Sequence, residues 1–394
     1  MSLRDEIKKI ASGIRGDILI KRRYLHQNPE LSFKEFNTSA FIKDSLDEMG
    51  ISWIPTAGTG VIATIQGNQN SGKTVVLRAD MDALPICEGT DLAFKSIHQG
   101  VMHACGHDLH VASLLGVSYI LNRLKKKING TVKLIFQPAE EILPGGAIKI
   151  LQEGVLLETK VDAMIGQHVM PSIESGKIGI RKGVFMASMD EIRIKVRGKG
   201  GHGAEPQNNH DPVVVASTII VTLQQIVSRY SNPKTPSVLS FGKIEANGST
   251  NIIPDNVFIE GTFRTMDEDW RIEAHKKIND VARSIAIGLG CECDIEIKKG
   301  YPCLNNCEIL TDIVHSHMKE YIGETNIIEA DIWMASEDFA YYAQNFSSCF
   351  YLIGTGYPDR TNPTLHTSTM EINEECIETS MGLMSYLALK ILDN

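Results

Sequence analysis

Short apolar runs at 74–77, 131–136, 161–165 and 349–352 read as strands, with stretches of helical spacing between them. A chain that alternates strand and helix in this way is constrained to a sheet covered by helices, an α/β architecture. The helical stretches are marked by period and punctuation. Residues 38–49 space Ala40, Phe41, Leu46 and Met49 as a helix face and stop at Gly50, a suitable C-cap. Residues 111–124 read as a helix ending in the basic run Lys125, Lys126 and Lys127. A helix at 308–321 and a long terminal helix from about 372 carry the same pattern to the end.

The texture changes in the middle of the chain. Residues 191–196 alternate strictly, with Ile192, Ile194 and Val196 set against charged neighbours. Strands at 238–244, 257–263 and 291–297 and helices at 212–227 and about 269–287 follow. Half-buried alternating strands with two helices describe a small α+β domain with one sheet face in water. The expected organisation is one α/β domain with a mixed sheet, residues 1–184 and 301–394, interrupted by an inserted α+β domain at 185–300.

Composition excludes several classes. With 43% apolar and 22% charged residues the chain is neither disordered nor coiled coil. A formal charge of −9 argues against sequence-independent nucleic-acid binding, which needs clustered Lys and Arg. The uncharged stretch 212–227 is interrupted by Ser217, Thr218, Thr222, Gln224 and Gln225, so it reads as a buried helix and not a membrane span. Arg4, Asp5, Glu6, Lys8 and Lys9 leave no room for a signal-peptide core, and a cytoplasmic location is expected. Eight cysteines are then free thiols or metal ligands before they are disulfides. Cys291, Cys293, Cys303 and Cys307 are poorly spaced for a structural zinc and read as packing residues.

The chemistry gathers where the strands end. Strand 74–77 is followed by Asp80 and Asp82, and Met-His-Ala-Cys-Gly-His-Asp at 102–108 opens the next helix. Strand 131–136 runs into Gln137, Pro138, Ala139, Glu140 and Glu141, strand 161–165 into Gln167 and His168, and His366 follows strand 349–352. Open α/β sheets bind ligands at the carboxyl ends of their strands. Any one of these residues alone reads as a solvated loop or a hydrogen-bonded core group; five segments converging on one edge read as a metal site. Imidazole, carboxylate and thiolate together suit divalent zinc, manganese, cobalt or nickel. Adjacent carboxylates repel, so a cation must stabilise at least one of Glu140 and Glu141, leaving the other as general base toward metal-activated water.

These motifs, with Arg-Ala-Asp-Met-Asp-Ala-Leu-Pro at 78–85, Gly-Gln-His-Val at 166–169 and the opening Arg-Arg-Tyr-Leu-His-Gln-Asn-Pro-Glu-Leu-Ser-Phe at 22–33, resemble the aminoacylase/carboxypeptidase family of dinuclear metallohydrolases. The chain is most similar to its amidohydrolase branch of hippurate hydrolases, N-acyl-amino-acid deacetylases and auxin-conjugate hydrolases. The resemblance implies two divalent ions per subunit held by Cys105, His107, Glu141, His168 and His366, with Glu140 as general base and Asp82 and His202 acting with it in catalysis. It makes the 185–300 insertion a lid and dimerisation domain, whose His202 reaches the active site of the other subunit of a homodimer. Asn251 and Arg264 match lid residues that bind the substrate carboxylate. Asp80 stands where the family's peptidases have part of a His-x-Asp motif; here it is expected to orient ligand imidazoles and not to ligate.

The implied reaction is hydrolysis of an N-acyl-amino acid, acetyl or benzoyl in type. One alternative is a dipeptidase or carboxypeptidase of the same fold. Another, of a different class, is a non-catalytic metal- or nucleotide-binding module, suggested by Gly198-x-Gly200-x-x-Gly203. That match is weak, because the next helix begins only at Pro212.

Overall fold

The computed structural model describes residues 1–157 and 160–393. The chain divides into two compact units: Met1–Gly183 with Asn305–Ile332 and Asp338–Asn394, and Val184–Leu304 with Trp333–Glu337.

The first unit is built on an eight-stranded mixed sheet. Its order is Ser52–Thr56, Gly60–Gln66, Asn129–Gln137, Gln69–Asp80, Ala163–Glu174, Ser348–Gly356, Ile178–Ile180, Ile327–Glu329. The four strands expected from apolar runs are neighbours at its centre and run parallel. Their carboxyl ends therefore share one edge. Val75, Val76, Leu77, Leu134, Ile135, Phe136, Ile165 and Tyr351 are fully buried on them, as parallel strands covered on both faces require. Helices Leu3–Gln27, His107–Arg123 and Cys376–Asp393 pack on one another and on the sheet. Gly146–Gln152 packs against Phe339–Asn345, and the Phe339 ring lies so close to Gly166 that a Cβ there would be 2.8 Å away.

Of the boundaries that differ from expectation, two matter for the site. The helix expected from 111 begins at His107, because Gly106 turns the chain in the left-handed region (φ 80°) and acts as N-cap. The strand expected to stop at 165 runs on to Glu174, paired with Ser348–Gly356 along most of its length. His168 thus lies inside a buried strand. Its neighbour Gln167 is satisfied there by the hydroxyls of Ser113, Ser380 and Tyr351.

The second unit carries a four-stranded antiparallel sheet in the order Ser237–Glu245, Asn256–Thr265, Asp190–Arg197, Glu292–Lys299. Ile192, Ile194 and Val196 are buried, while Glu191, Arg193, Lys195 and Arg197 face outward beside Glu260, Glu292 and Asp294. Helices Pro212–Gln225 and Glu268–Gly288 cover the inner face. The first is started by Asp211, whose carboxylate accepts from Val213 N at 2.8 Å, and by proline at its first position. A π turn, Ile226–Tyr230, extends it beyond the expected end. The continuous run Pro212–Tyr230 is thereby long and apolar enough, by length and composition alone, to cross a bilayer. Core helices pass the same test, but the helix expected to be buried is covered on one face only: Val215, Ala216, Ile219, Leu223 and Ile226 lie in the unit's own core, while Val214, Ser217, Thr218 and Val221 are exposed. The Gly198-x-Gly200-x-x-Gly203 stretch leads into a two-residue strand, Gly201–His202, and does not itself open a helix.

Candidate metal centre

Each donor of the first unit is delivered by a different element. Asp80 ends strand Gln69–Asp80, and Asp82 lies two residues beyond. Cys105 and His107 flank Gly106 at the start of a buried helix. A Cβ at Gly106 would lie 2.5 Å from Val169, so only glycine allows this helix to approach the strand that carries His168. Glu140 and Glu141 follow strand Asn129–Gln137 after Ala139, itself left-handed at φ 52°. His366 is also left-handed, at φ 60°, and is tied back by its N–H to the Ala104 carbonyl at 2.9 Å.

The fold brings all five expected ligands together. Cys105 Sγ is 3.4 Å from His168 Nε2 and 3.2 Å from His366 Nε2. Glu141 Oε1 lies 3.2 Å from His366 Nε2 and 4.0 Å from His107 Nε2. Two sets of donors, Cys105 with His107 and His168, and Cys105 with Glu141 and His366, each have their donor atoms within 4.8 Å of one another. Cys105 belongs to both. Glu140 groups with His107 and Glu141 in the same way.

The donors are prepared for cations. Among the described residues, His107 Nε2 and Glu141 Oε1 are buried without a hydrogen-bond partner, their neighbours being the other donors of the cluster. The other nitrogen of His107 donates to the Asp82 carbonyl at 2.9 Å, and that of His168 to the Val169 carbonyl at 2.7 Å. Each ring is thus oriented through Nδ1, with His168 Nε2 turned toward Cys105 and His107 Nε2 toward Glu141. Burial, then the charges of Glu141, Glu140 and Asp80, push the Cys105 thiol well above its usual range. Burial works against protonation of His107, but Asp80, Asp82 and Glu141 outweigh it and raise the imidazole to about 10. So much negative charge around buried imidazole and thiol calls for positive charge, which divalent ions supply.

Behind these donors lies a layer of groups that hold them. Asp82 accepts from Glu140 N and Glu141 N, both at 3.0 Å, and from Ser32 Oγ at 2.6 Å. It pins the backbone of the Glu pair. Asp80 is occupied on both oxygens, by His110 Nδ1 at 2.5 Å and Arg78 Nη1 at 2.6 Å. His110 Nε2 in turn accepts from Val169 N at 2.9 Å. Arg78 also donates to Gln137 (3.0 Å) and Asp338 (2.7 Å). Sequence reasoning places Arg78 and Gln137 only as parts of the strand-end motifs, without a role, and does not point to His110 or Asp338. His110 carried a local signal, three residues after His107 on one helix; Asp338 carried none.

The remaining expected residues belong to the second unit. His202 is exposed, and its Nδ1 accepts from Ala204 N at 3.0 Å, which leaves Nε2–H as an outward donor. Gly203 N donates to the Asn251 carbonyl at 2.9 Å, so Asn251 stands beside His202. Arg264 lies on strand Asn256–Thr265 opposite Val238, half-buried, with Nη1 on the Met334 carbonyl at 3.0 Å.

An α/β sheet with thiol, imidazole and carboxylate donors at its strand ends and a second glutamate beside them defines a metal-dependent hydrolase. Its kind follows from comparison with known proteins. The chain belongs to peptidase family M20/M25/M40, whose model matches residues 76–390, and it is a hydrolase of amide bonds. It is 38% identical to the N-acetyl-L-cysteine deacetylase of Bacillus subtilis (strain 168), over 100% of this chain and 93% of that protein. It is 37% identical to thermostable carboxypeptidase 2 of Saccharolobus solfataricus, over 99% of each. Among solved structures, a dinuclear metal-binding peptidase of the M20 family from Bacillus subtilis superimposes with a TM-score of 0.84 at 33% identity, covering 97% of this chain and 99% of that one.

Proposed function

We propose that this enzyme hydrolyses N-acyl-amino acids, of acetyl or benzoyl type, to a carboxylic acid and a free amino acid, using two divalent ions. The observation that carries the reading is that Cys105 belongs to two donor sets at once, one completed by His107 and His168 and the other by Glu141 and His366. Zinc, manganese, cobalt and nickel all suit these donors. When bound, the ions supply Lewis acidity, lowering the pKa of water and polarising the amide carbonyl. Glu140, buried beside His107 and Glu141, takes a proton from the attacking water and returns it to the leaving amine. Asp82 keeps that carboxylate in place through the two backbone N–H groups it accepts.

The first unit is the catalytic domain and the second a lid and dimerisation domain. In a homodimer, His202 Nε2–H serves the other subunit's site as a donor to the developing oxyanion. Asn251 and Arg264 take the substrate carboxylate. Arg264 suits that role: half-buried, it has a carbonyl partner but no carboxylate among the described residues, and a guanidinium can bind both oxygens of a carboxylate. Exposed Val214 and Val221 on an uncharged helix favour a second copy as the cover of that face. Eight unpaired cysteines suit a reducing, cytoplasmic setting.

The deacetylase relative favours a simple acyl group; the carboxypeptidase relative keeps a peptide substrate as the second reading. The test is amino-acid release from a panel of N-acetyl- and N-benzoyl-amino acids and dipeptides, after chelation and with manganese, zinc, cobalt or nickel added back. Metal-restored turnover fastest on acyl-amino acids supports the proposal. Faster turnover of dipeptides replaces it with the peptidase reading.

A further inference from the structure

Glu35 is fully buried, yet nothing in the reaction above uses it. It occupies the N-cap position of helix Phe36–Glu48 but makes no capping hydrogen bond. Glu30 does that work, accepting from Asn37 N at 3.1 Å and Thr38 N at 2.8 Å. The Glu35 carboxylate is thereby free to point inward. One oxygen accepts from Ala139 N at 2.9 Å and the other from Thr59 Oγ1 at 2.7 Å. Burial, against these hydrogen bonds, pushes its carboxyl up to about 7. A buried acid held by donors and not by cations costs stability, and such groups are kept where they position something.

What Glu35 holds is the residue before the general base. Among the described residues, Ala139 is one of four non-glycine residues with positive φ, and it turns the chain from strand Asn129–Gln137 into Glu140 and Glu141. An alanine in the left-handed region persists only when its surroundings hold it there. Two contacts do so: the Gly146 N–H on its carbonyl at 3.0 Å, and Glu35 on its N–H. Ser32, from the same segment as Glu35, donates to Asp82, which accepts from the next two N–H groups. Residues 30–35 thus brace three consecutive amides of the turn, two of them through Asp82.

We propose that Glu35 is a positioning residue for Glu140 and Glu141, fixing the left-handed Ala139 turn from which both project. The inference rests on the assignment of Glu140 as base and Glu141 as ligand, and on nothing about the acyl group.

The experiment compares full-length Glu35→Ala and Glu35→Gln with the unsubstituted protein. It measures kcat and KM on the best N-acetyl-amino acid, and Mn2+ affinity by electron paramagnetic resonance without substrate. Glutamine keeps an acceptor for Ala139 N and a donor for Thr59 Oγ1; alanine keeps neither. Glu35→Ala should lower kcat about 10–100-fold with KM within about threefold, and weaken Mn2+ about tenfold. Glu35→Gln should stay within about threefold on every measure. The proposal is overturned if Glu35→Ala leaves kcat and Mn2+ affinity within about twofold, or if Glu35→Gln is as impaired as Glu35→Ala. Should Glu35→Ala not fold, Thr59→Val removes the hydroxyl that orients the carboxylate; a kcat reduced about fivefold supports the proposal and an unchanged kcat overturns it. If no acyl-amino acid is turned over at all, the substrate reading is what has failed, and the Mn2+ measurement decides the role of Glu35 by itself.

Discussion

Gly106→Ala tests how tightly the fold and the metal centre are joined. Gly106 is left-handed at φ 80°, where a side chain costs about 1–2 kcal/mol. Its added Cβ would also meet Val169 Cγ2 at 2.5 Å and Ile372 Cδ1 at 3.0 Å, whereas ordinary contact begins near 3.4 Å. To relieve the clash the start of helix His107–Arg123 must retreat by roughly 1 Å, since the packed strand has no void to give. Overpacking of this kind costs about 1–3 kcal/mol, so the expected total is about 2–5 kcal/mol. Gly50→Ala is the control. Gly50 is also left-handed, at φ 65°, but has nothing within 4 Å of the Cβ position, so only the backbone cost of about 1–2 kcal/mol remains. The two variants differ in function as well. Cys105 and His107 flank Gly106, and a shift of about 1 Å exceeds the roughly 0.5 Å that a ligand set tolerates. Mn2+ affinity should fall about 10–100-fold in Gly106→Ala and stay unchanged in Gly50→Ala. Urea unfolding of the metal-free proteins, followed by circular dichroism, reads the first quantity and Mn2+ titration the second. If Gly106→Ala matches Gly50→Ala in both, the contact with Val169 does not set the position of the ligands and the reasoning fails.

Glu140→Ala should retain bound metal and lose about 10²–10⁴ in kcat, while His107→Ala should lose metal as well; metal content by mass spectrometry alongside kcat separates them, and near-normal turnover in Glu140→Ala removes the base assignment. Asp82→Asn places an amide N–H2 against one of the two backbone N–H groups it must accept, so kcat should drop about 10–100-fold in a folded protein; unchanged kcat would show that the Glu pair holds itself. In the second unit, burial would raise the Asp190 carboxyl, but Arg271 and His275 outweigh it and hold it at about 2, below the usual 3.8. A lowered carboxyl adds stability that is complete above the unfolded pKa and is lost as pH falls through the folded one. About 2 kcal/mol should therefore disappear between about pH 4 and pH 2, and Asp190→Asn should remove that slope from urea midpoints measured over a pH series. An unchanged slope would contradict it.

The parts of this molecule that sequence makes legible are those whose chemistry is local. A parallel strand buried on both faces is apolar throughout, and the donor that ends it is polar, so the change of texture marks each strand end without knowledge of its neighbours. Val75 to Leu77 followed by Asp80, and Leu134 to Phe136 followed by Glu140 and Glu141, are of this kind. His168 is the exception: it lies inside its strand, and the polar Gln167 beside it looked like an end because the hydroxyls that satisfy it come from Ser113, Ser380 and Tyr351.

The braces have no such local mark. Glu35 reaches Ala139 across 104 residues, and Arg78 reaches Asp338 across 260. Glu35 precedes a helix, where a carboxylate ordinarily caps, and nothing at position 35 reveals that Glu30 has taken that duty. Asp338 precedes a short helix in the same misleading way while its carboxylate accepts from Arg78, Gln137 and Ala147 N. Both acids are fully buried, and burial of an acid is a property of the folded chain, not of the residues beside it. A ligand can be recognised from its own strand end, whereas the group that aims it can come from any segment the topology brings near. The residues hardest to find in such a sequence are therefore those that set the geometry of the ones easiest to find.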